Sequence, residues 1–365
     1  MKNILGSNLT LTLFGESHGE AIGAVIDGIS PGIKVDFDEI DRQLSLRRPS
    51  GANSTARCEK DEYSIVSGVF EGRTTGTPIC IIIQNSAQNS RDYSKTKVLA
   101  RPGHADFAAN EKYHGFQDYR GGGHFSGRIT AAIVSAGAIL ISALRGKGIE
   151  MGTHIKSISD ICDREFENFA DDIKYLSDKN FPVLSEKAAE EMNKRILNAK
   201  AELDSVGGIL ETVITGLPAG LGEPWFENAE GKIAQAMFAV GGVKGIEFGK
   251  GFDFAKMKGS EANDSFRVED GKIVTATNNN AGINGGITNG MPIIFRLAVK
   301  PTPSIYKKQE TIDFVKCENA DIEIEGRHDP CIVHRARAVV DALSALVVSD
   351  MLIGRYGTDY FTPGD

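Results

Sequence analysis

Gly121-Gly-Gly-His124-Phe-Ser-Gly-Arg128-Ile129-Thr-Ala-Ala-Ile-Val-Ser-Ala-Gly-Ala-Ile-Leu-Ile-Ser-Ala-Leu144 is the stretch on which the fold turns. Ile129 to Leu144 carries no charge, and its polar side chains are small hydroxyls. A helix that is apolar on every face is buried on every face, so the pattern predicts a central helix with structure on all sides. The glycines before it bring bare backbone to a helix N-terminus, where N–H groups favour an anion.

Working outward, a second apolar helix is expected over about 336–352. Val25 to Ile33 resembles Val213 to Leu221. Gly68 to Ile81 (GVFEGRTTGTPICI) resembles Gly282 to Phe295 (GINGGITNGMPIIF), in the same order. Chance similarity of strand-turn-strand segments produces one such match more readily than two. The expected fold is therefore α+β, a single large domain over 1–365. Antiparallel or mixed sheets are layered with helices in a β-α-β sandwich, built from duplicated halves of roughly 1–150 and 205–355. The period is far longer than that of a solenoid repeat.

Shorter signals fill in the elements. Leu9 to Phe14 alternates Thr with apolar residues and reads as a strand, followed by the turn Gly15-Glu16-Ser17-His18-Gly19 and a second strand over Ala21 to Ile26. Asp36 with Glu39 three residues on, Arg47 and Arg48 at the far end and Pro49 beyond predict a capped helix. Ser64 to Phe70 and Pro78 to Ile83 read as a strand pair. A charged amphipathic helix is expected from Ser185 to Leu203. The polar stretch 160–180 reads as irregular and solvent-facing, part of a variable excursion over 160–205.

Composition narrows the function. The net charge of −8 argues against a non-specific nucleic-acid binder, so an anionic ligand needs a local basic cluster. No run of about 18 apolar residues exists, which predicts no membrane span. Five scattered cysteines point to a reducing cytoplasm and away from disulfides or a CxxC zinc site.

Four of the seven histidines sit in glycine-containing loops: His18 in GESHG, His104 in RPGHAD, His124 in RGGGHFSGR and His328 in GRHDP. One such histidine would read as an ordinary hydrogen-bonded side chain. Four with Arg, Asp or Ser beside them read as candidate acids and bases. No HxxxH or HExxH spacing points to a metal. Arg47, Arg48, Arg57, Arg101, Arg120, Arg128, Arg327, Arg335 and Arg337 lie in or beside these loops, which suits a multiply anionic ligand better than scattered ion pairs. Lys300-Pro301-Thr302-Pro303-Ser304 offers a cation, two hydroxyls and a rigid turn, as a phosphate clamp would. Neither a Walker nor a Rossmann fingerprint is present. Gly15 to Gly19 matches the hydrolase elbow Gly-x-Ser-x-Gly, but a strand rather than a helix is expected next. Adjacent Ser17 and His18 are not expected to align as nucleophile and base, so Ser17 reads as a hydrogen-bonding residue.

Taken together, Phe14 to Gly19, Gly123 to Thr130 and Gly326-Arg327-His328-Asp329-Pro330-Cys331 resemble the chorismate synthase family. So do the segments between them: Arg47-Arg48-Pro49, Thr55-x-Arg57-x-Glu59-x-Asp61, Asp92-Tyr93, Arg101 to Asp106, Asp118-Tyr119-Arg120, Gly220 to Pro224, Val243 to Glu247 and Lys300 to Ser304. The resemblance is collinear over nearly the whole chain. It implies a lyase that converts 5-enolpyruvylshikimate 3-phosphate to chorismate and phosphate by 1,4-elimination, using reduced FMN, in aromatic amino-acid biosynthesis. It also implies a cytoplasmic homotetramer.

By the same resemblance, His18 lies near the departing phosphate and His104 near the flavin, both as proton donors. Asp329 helps deprotonate the flavin, whose N5 takes the substrate proton, and Ser17 supports this network. Arg48, Arg101, Arg128 and Arg335 hold the substrate. His124, Phe125, Ser126, Gly285, Lys300, Pro301, Thr302, Pro303, Ser304 and Arg327 hold FMN. Arg47 matches a position associated with NADPH, which leaves open whether the chain reduces its own flavin. The alternative is a flavin reductase or other flavin oxidoreductase, which needs no arginine cluster for a substrate with a phosphate and two carboxylates. A non-catalytic anion-binding protein would leave His18, His104 and Asp329 idle.

Overall fold

The computed structural model describes residues 2–49, 61–85, 97–324 and 328–364. Arg57, Asp92-Tyr93 and Arg327 lie outside the described residues, as do Thr55 and Glu59 of their motif.

The first half runs β1 (Ile4–Leu5), β2 (Thr10–Gly15), β3 (Ala21–Asp27), α1 (Phe37–Arg47), β4 (Tyr63–Ser67), the small strands β5 (Val69–Phe70) and β6 (Arg73–Thr74), β7 (Ile79–Gln84), α2 (Asp106–Tyr113) and α3 (Thr130–Arg145). Next come β8 (Glu150–Ile158), β9 (Ile161–Cys162), α4 (Phe169–Leu176) and α5 (Glu186–Ala201). The second half continues with β10 (Gly208–Thr215), α6 (Ala229–Met237), β11 (Val243–Phe248), α7 (Gly259–Ala262), β12 (Phe266–Glu269), β13 (Lys272–Thr275), β14 (Ile283–Asn284), β15 (Ile287–Thr288), β16 (Ile293–Val299), β17 (Lys308–Asp313), β18 (Glu318–Glu323) and α8 (Val333–Tyr356).

Two five-stranded sheets result, in the orders β1-β2-β3-β7-β4 and β11-β16-β10-β8-β9. Their pairings are all antiparallel. The chain is thus α+β. Helix α3 packs on β3 and β7 of the first sheet, α8 packs on β8 and β10 of the second, and the two helices pack on each other. Their crossing is close because position 137 is glycine: a Cβ there would stand 2.4 Å from the Ala342 Cβ. By length and composition Gly127–Arg145, with a mean hydropathy of 1.7, is apolar enough to cross a membrane, yet 72% of that stretch is buried inside the molecule. Thr130, Ser135 and Ser142 interrupt its apolar run, so the sequence predicts no span there.

Helix α1 begins as its residues dictate. The Asp36 carboxylate accepts the Glu39 N–H at 3.1 Å, and Arg47 stands in the last turn. Helix α5 is capped by Ser185. Residues 160–180 depart from expectation, since they hold β9 and α4 and bury Asp163, Asp172, Ile173 and Leu176. The polar residues were misleading because they pair inward. Asp163 accepts the N–H groups of Leu184 at 2.6 Å and Ser185 at 2.9 Å, and Asp172 pairs with Arg164 at 2.5 Å.

Candidate functional site

The loop after β2, the glycine turn before α3, the segment before α2, the chain after β16 and the start of α8 enclose a cavity of about 710 Å³. This is an ordinary size for a cofactor or small-ligand site. Ser17, His18, Arg47, Arg101, His104, Phe125, Ser126, Arg128, Lys300 to Pro303, Asp329 and Arg335 all line it. The wall thus joins sites that are more than 300 residues apart in sequence.

The loop 15–19 is fastened to the glycine turn. Ser17 N–H donates to the Gly123 carbonyl at 3.1 Å. Gly121, Gly122 and Gly123 have φ of 60°, 95° and 52° in succession, a path that side chains would strain. The path also leaves room for a ring, because a Cβ at Gly121 would stand 2.1 Å from His18 Cε1. Asn85, which the sequence reading passed over, clamps the loop: its amide donates to the carbonyls of Glu16 at 3.0 Å and Gly19 at 2.9 Å.

The Ser17 and His18 side chains are in contact. The Ser17 hydroxyl donates to the Arg120 carbonyl at 3.3 Å, so its contact of 3.1 Å with His18 Nδ1 has the ring as donor. This arrangement cannot activate Ser17 as a nucleophile, because the hydroxyl proton is aimed at the carbonyl. It instead sets the ring's tautomer and orientation. The missing helix after the elbow points the same way: Ala21–Asp27 is a strand.

His104 is half-buried, and its Nε2 lies 2.6 Å from the Ser304 hydroxyl. Burial first, then the charge of Arg101, lower its pKa to about 4; Asp106 pulls the other way, and Lys300 adds a smaller lowering. Lys300 Nζ donates to the Gly103 carbonyl at 2.7 Å. Gly103 is in turn needed there, since a Cβ would sit 2.8 Å from Pro303.

Every substrate arginine expected from the sequence meets a carboxylate. Arg101 grips Asp106 through Nε at 2.8 Å and Nη2 at 2.7 Å. Arg335 pairs with Asp329 and also donates Nε–H to the Arg47 carbonyl at 3.0 Å. Arg48 and Arg128 both reach Asp61, as does Arg47 at 2.7 Å. Arg128 donates Nε–H to Asn85 Oδ1 at 3.1 Å as well.

Some expected residues lie elsewhere. His124 turns from the cavity and donates Nδ1–H to the Gly15 carbonyl at 2.8 Å, which makes it a brace for β2. Gly285 occupies the β14–β15 turn and does not line the cavity. Arg48 does not line the cavity and reaches Asp61 at 3.4 Å. Ser304 sits behind His104. Arg337 is buried within α8 against Asp341 at 2.9 Å, remote from the loops whose sequence it neighbours. His328 does line the cavity. So do Lys244, from the segment Val243 to Glu247, and Lys97, Gln117, Phe238 and Phe314, which no motif singles out. Among the described residues no group of three His, Cys, Asp or Glu is placed to hold a metal.

A family model described as chorismate synthase matches residues 9–353 of the chain. The chorismate synthase of Pyrococcus abyssi is 47% identical over 350 residues, covering 96% of this chain and 97% of that protein. That of Methanobrevibacter smithii is 46% identical over 355 residues, covering 97% of each. A crystal structure of chorismate synthase superposes with a TM-score of 0.77 at 29% identity, covering 97% of this chain and 94% of the other.

Proposed function

The chain belongs to the chorismate synthase family and converts 5-enolpyruvylshikimate 3-phosphate to chorismate and phosphate; we propose that it does so in the cavity between His18 and His104, with reduced FMN as the flavin. The reaction breaks one C–O bond, with the electron pair leaving on phosphate. It also breaks one C–H bond and forms one C=C bond, without net redox change.

The observation that carries the assignment to this cavity is the convergence of titratable and cationic groups. His18, His104, Asp329, Arg101, Arg128 and Arg335 share one wall although they come from four segments of the chain. The residues present also suit FMN. Thr302 Oγ1 and Gln117 Oε1 are buried on the wall without a hydrogen-bond partner among the described residues. Lys300 supplies a cation, Phe125 an aromatic face, and Gly241 a position where a Cβ would meet nothing within 4 Å. Lys300 to Pro303, Phe125 and Ser126 would hold the flavin, with Ser304 orienting His104 behind them. The reduced flavin supplies electron density that side chains lack.

In this reading Arg128 and Arg335 bind the substrate's anionic groups, and Arg101 does so beside His104. His18 carries the proton for the departing phosphate. It is held by Ser17 at Nδ1. Asp329, paired with Arg335, accepts a proton at the flavin side. Arg47 is the position read for NADPH; its guanidinium is buried against Asp61, so self-reduction of the flavin needs its own test, oxidation of NADPH without another reductase. The flavin-reductase alternative is not favoured, because the family model, the relatives and the solved structure named above are all chorismate synthases.

The duplicated-unit reading is supported by topology. Strands β3 and β10 are each central in their sheets, and β7 and β16 are each preceded by a two-residue hairpin. A cytoplasmic homotetramer is proposed on family grounds, with Trp225 and Phe226, exposed at 82% and 98%, as apolar surface available for association. Size-exclusion chromatography with light scattering tests it.

The FMN assignment is tested by anaerobic titration with reduced FMN. Wild type binds, and Thr302→Val with Gly241→Val weakens binding. Unchanged affinity in the double variant would place the flavin elsewhere.

A further inference from the structure

The arginines of the wall do not stand independently. Asp61 is 1% exposed and offers both carboxylate oxygens to guanidiniums. Its Oδ2 accepts from Arg47 Nη2 at 2.7 Å and from Arg48 Nε at 3.4 Å, and its Oδ1 accepts from Arg128 Nη1. These arginines reach it from two places, the end of α1 and the turn before α3.

We propose that Asp61 is a positioning residue that gathers Arg47, Arg48 and Arg128 into one anion-binding wall and sets that wall's net charge. The inference rests on the reading that this wall binds the phosphate ester. Nothing in the sequence assigned Asp61 a role beyond its place in a motif.

Charge counting supports it. Arg335 joins the group by donating to the Arg47 carbonyl, and it pairs with Asp329. Among the described residues four guanidiniums thus gather on two carboxylates, Asp61 and Asp329. Elsewhere on the wall Arg101 is neutralised by Asp106, and nearby Arg120 by Asp118. The densest gathering of guanidiniums is thus around Asp61, where an anionic group would be drawn.

Without Asp61, three guanidiniums would lie within the span of one carboxylate and repel each other. Arg48, at 31% side-chain exposure, has water to turn to, whereas Arg47 and Arg128, at 7% and 8%, do not. Burial works against ionisation of Asp61, but Arg47 and Arg128 outweigh it and hold the carboxyl below its ordinary range. The buried charge is therefore maintained by the groups it orients.

The test compares wild type, Asp61→Asn and Asp61→Glu anaerobically with chemically reduced FMN and 5-enolpyruvylshikimate 3-phosphate. Thermal melts run alongside, and inorganic phosphate is titrated by calorimetry. Charge-assisted hydrogen bonds of this kind predict that KM in Asp61→Asn rises about tenfold or more while kcat falls less than about threefold. Phosphate binding weakens in parallel, and Asp61→Glu recovers part of the loss. A folded Asp61→Asn with unchanged or lower KM and unchanged phosphate affinity overturns the proposal. If Asp61→Asn does not fold, Asp61→Glu decides in the same terms, a raised KM supporting and an unchanged one opposing. A wild type that binds phosphate without turning over would contradict the functional reading, and the phosphate titration would still decide on Asp61.

Discussion

The imidazole of His18 occupies the space that a side chain at Gly121 would need, with His18 Cε1 2.1 Å from the Cβ position. Gly121 also sits at a φ of 60°. A single substitution there is therefore both strained and directed at the ring.

Gly121→Ala is expected to displace His18 while the core stays folded. Loss of a positioned proton donor lowers turnover by roughly 10²-fold or more, with a smaller change in KM. Steady-state kinetics with reduced FMN, beside a thermal melt, checks this. Wild-type kcat in the variant would show that the His18 position does not matter.

His104 is expected to gain a proton when the anionic ligand arrives. Its pKa of about 4 makes it neutral at pH 6 in the free protein, through burial and then Arg101 and Lys300. A phosphate group beside those cations offsets their field and raises the value toward the ordinary range. Calorimetry of substrate binding at pH 6, in two buffers of different ionisation enthalpy, should show proton uptake that Asn at 104 removes. Equal heats in both buffers would contradict it. The sign for stability follows as well. The unfolded chain takes this proton first, so stability falls as pH drops from 6.5 toward about 4.

His154 should behave oppositely. It is fully buried, with Nδ1 2.9 Å from Asp163 and Nε2 3.1 Å from Glu211. Burial lowers its pKa, but the two carboxylate hydrogen bonds outweigh that and leave it raised. Its stabilising contribution is full below its ordinary pKa and is lost as pH rises through the raised value. His154→Gln, which strands a buried charge, should cost about 3–5 kcal/mol near pH 6 and less at alkaline pH. Denaturant melts across that range measure the gap. A gap independent of pH would mean that the ring is not charged.

The sequence disclosed what local chemistry controls. Asp36, Glu39 and Arg47 mark α1 within a dozen residues, and Ile129 to Leu144 marks a buried helix by apolarity alone. The loops of His18 and His104 were visible because glycine clusters beside titratable residues are uncommon. What stayed hidden depends on distant partners. Asp61 and Arg128 meet across 67 residues, and Asn85 reaches back 69 to Glu16. Polarity was read as exposure at Asp163 and Asp172, which instead spend their charge on backbone N–H groups, His154 and Arg164. The family resemblance places His124 with the FMN residues, yet its ring meets the Gly15 carbonyl, because loop membership does not set side-chain direction.

The most direct measurement is an anaerobic reaction of the purified protein with chemically reduced FMN and 5-enolpyruvylshikimate 3-phosphate. Chorismate absorbance and released phosphate are followed together, for wild type and for His18→Ala and His104→Ala. The account predicts equal amounts of both products, dependence on reduced flavin, and slower turnover in each variant while FMN still binds. No product with reduced flavin present, or wild-type turnover in both variants, would contradict it.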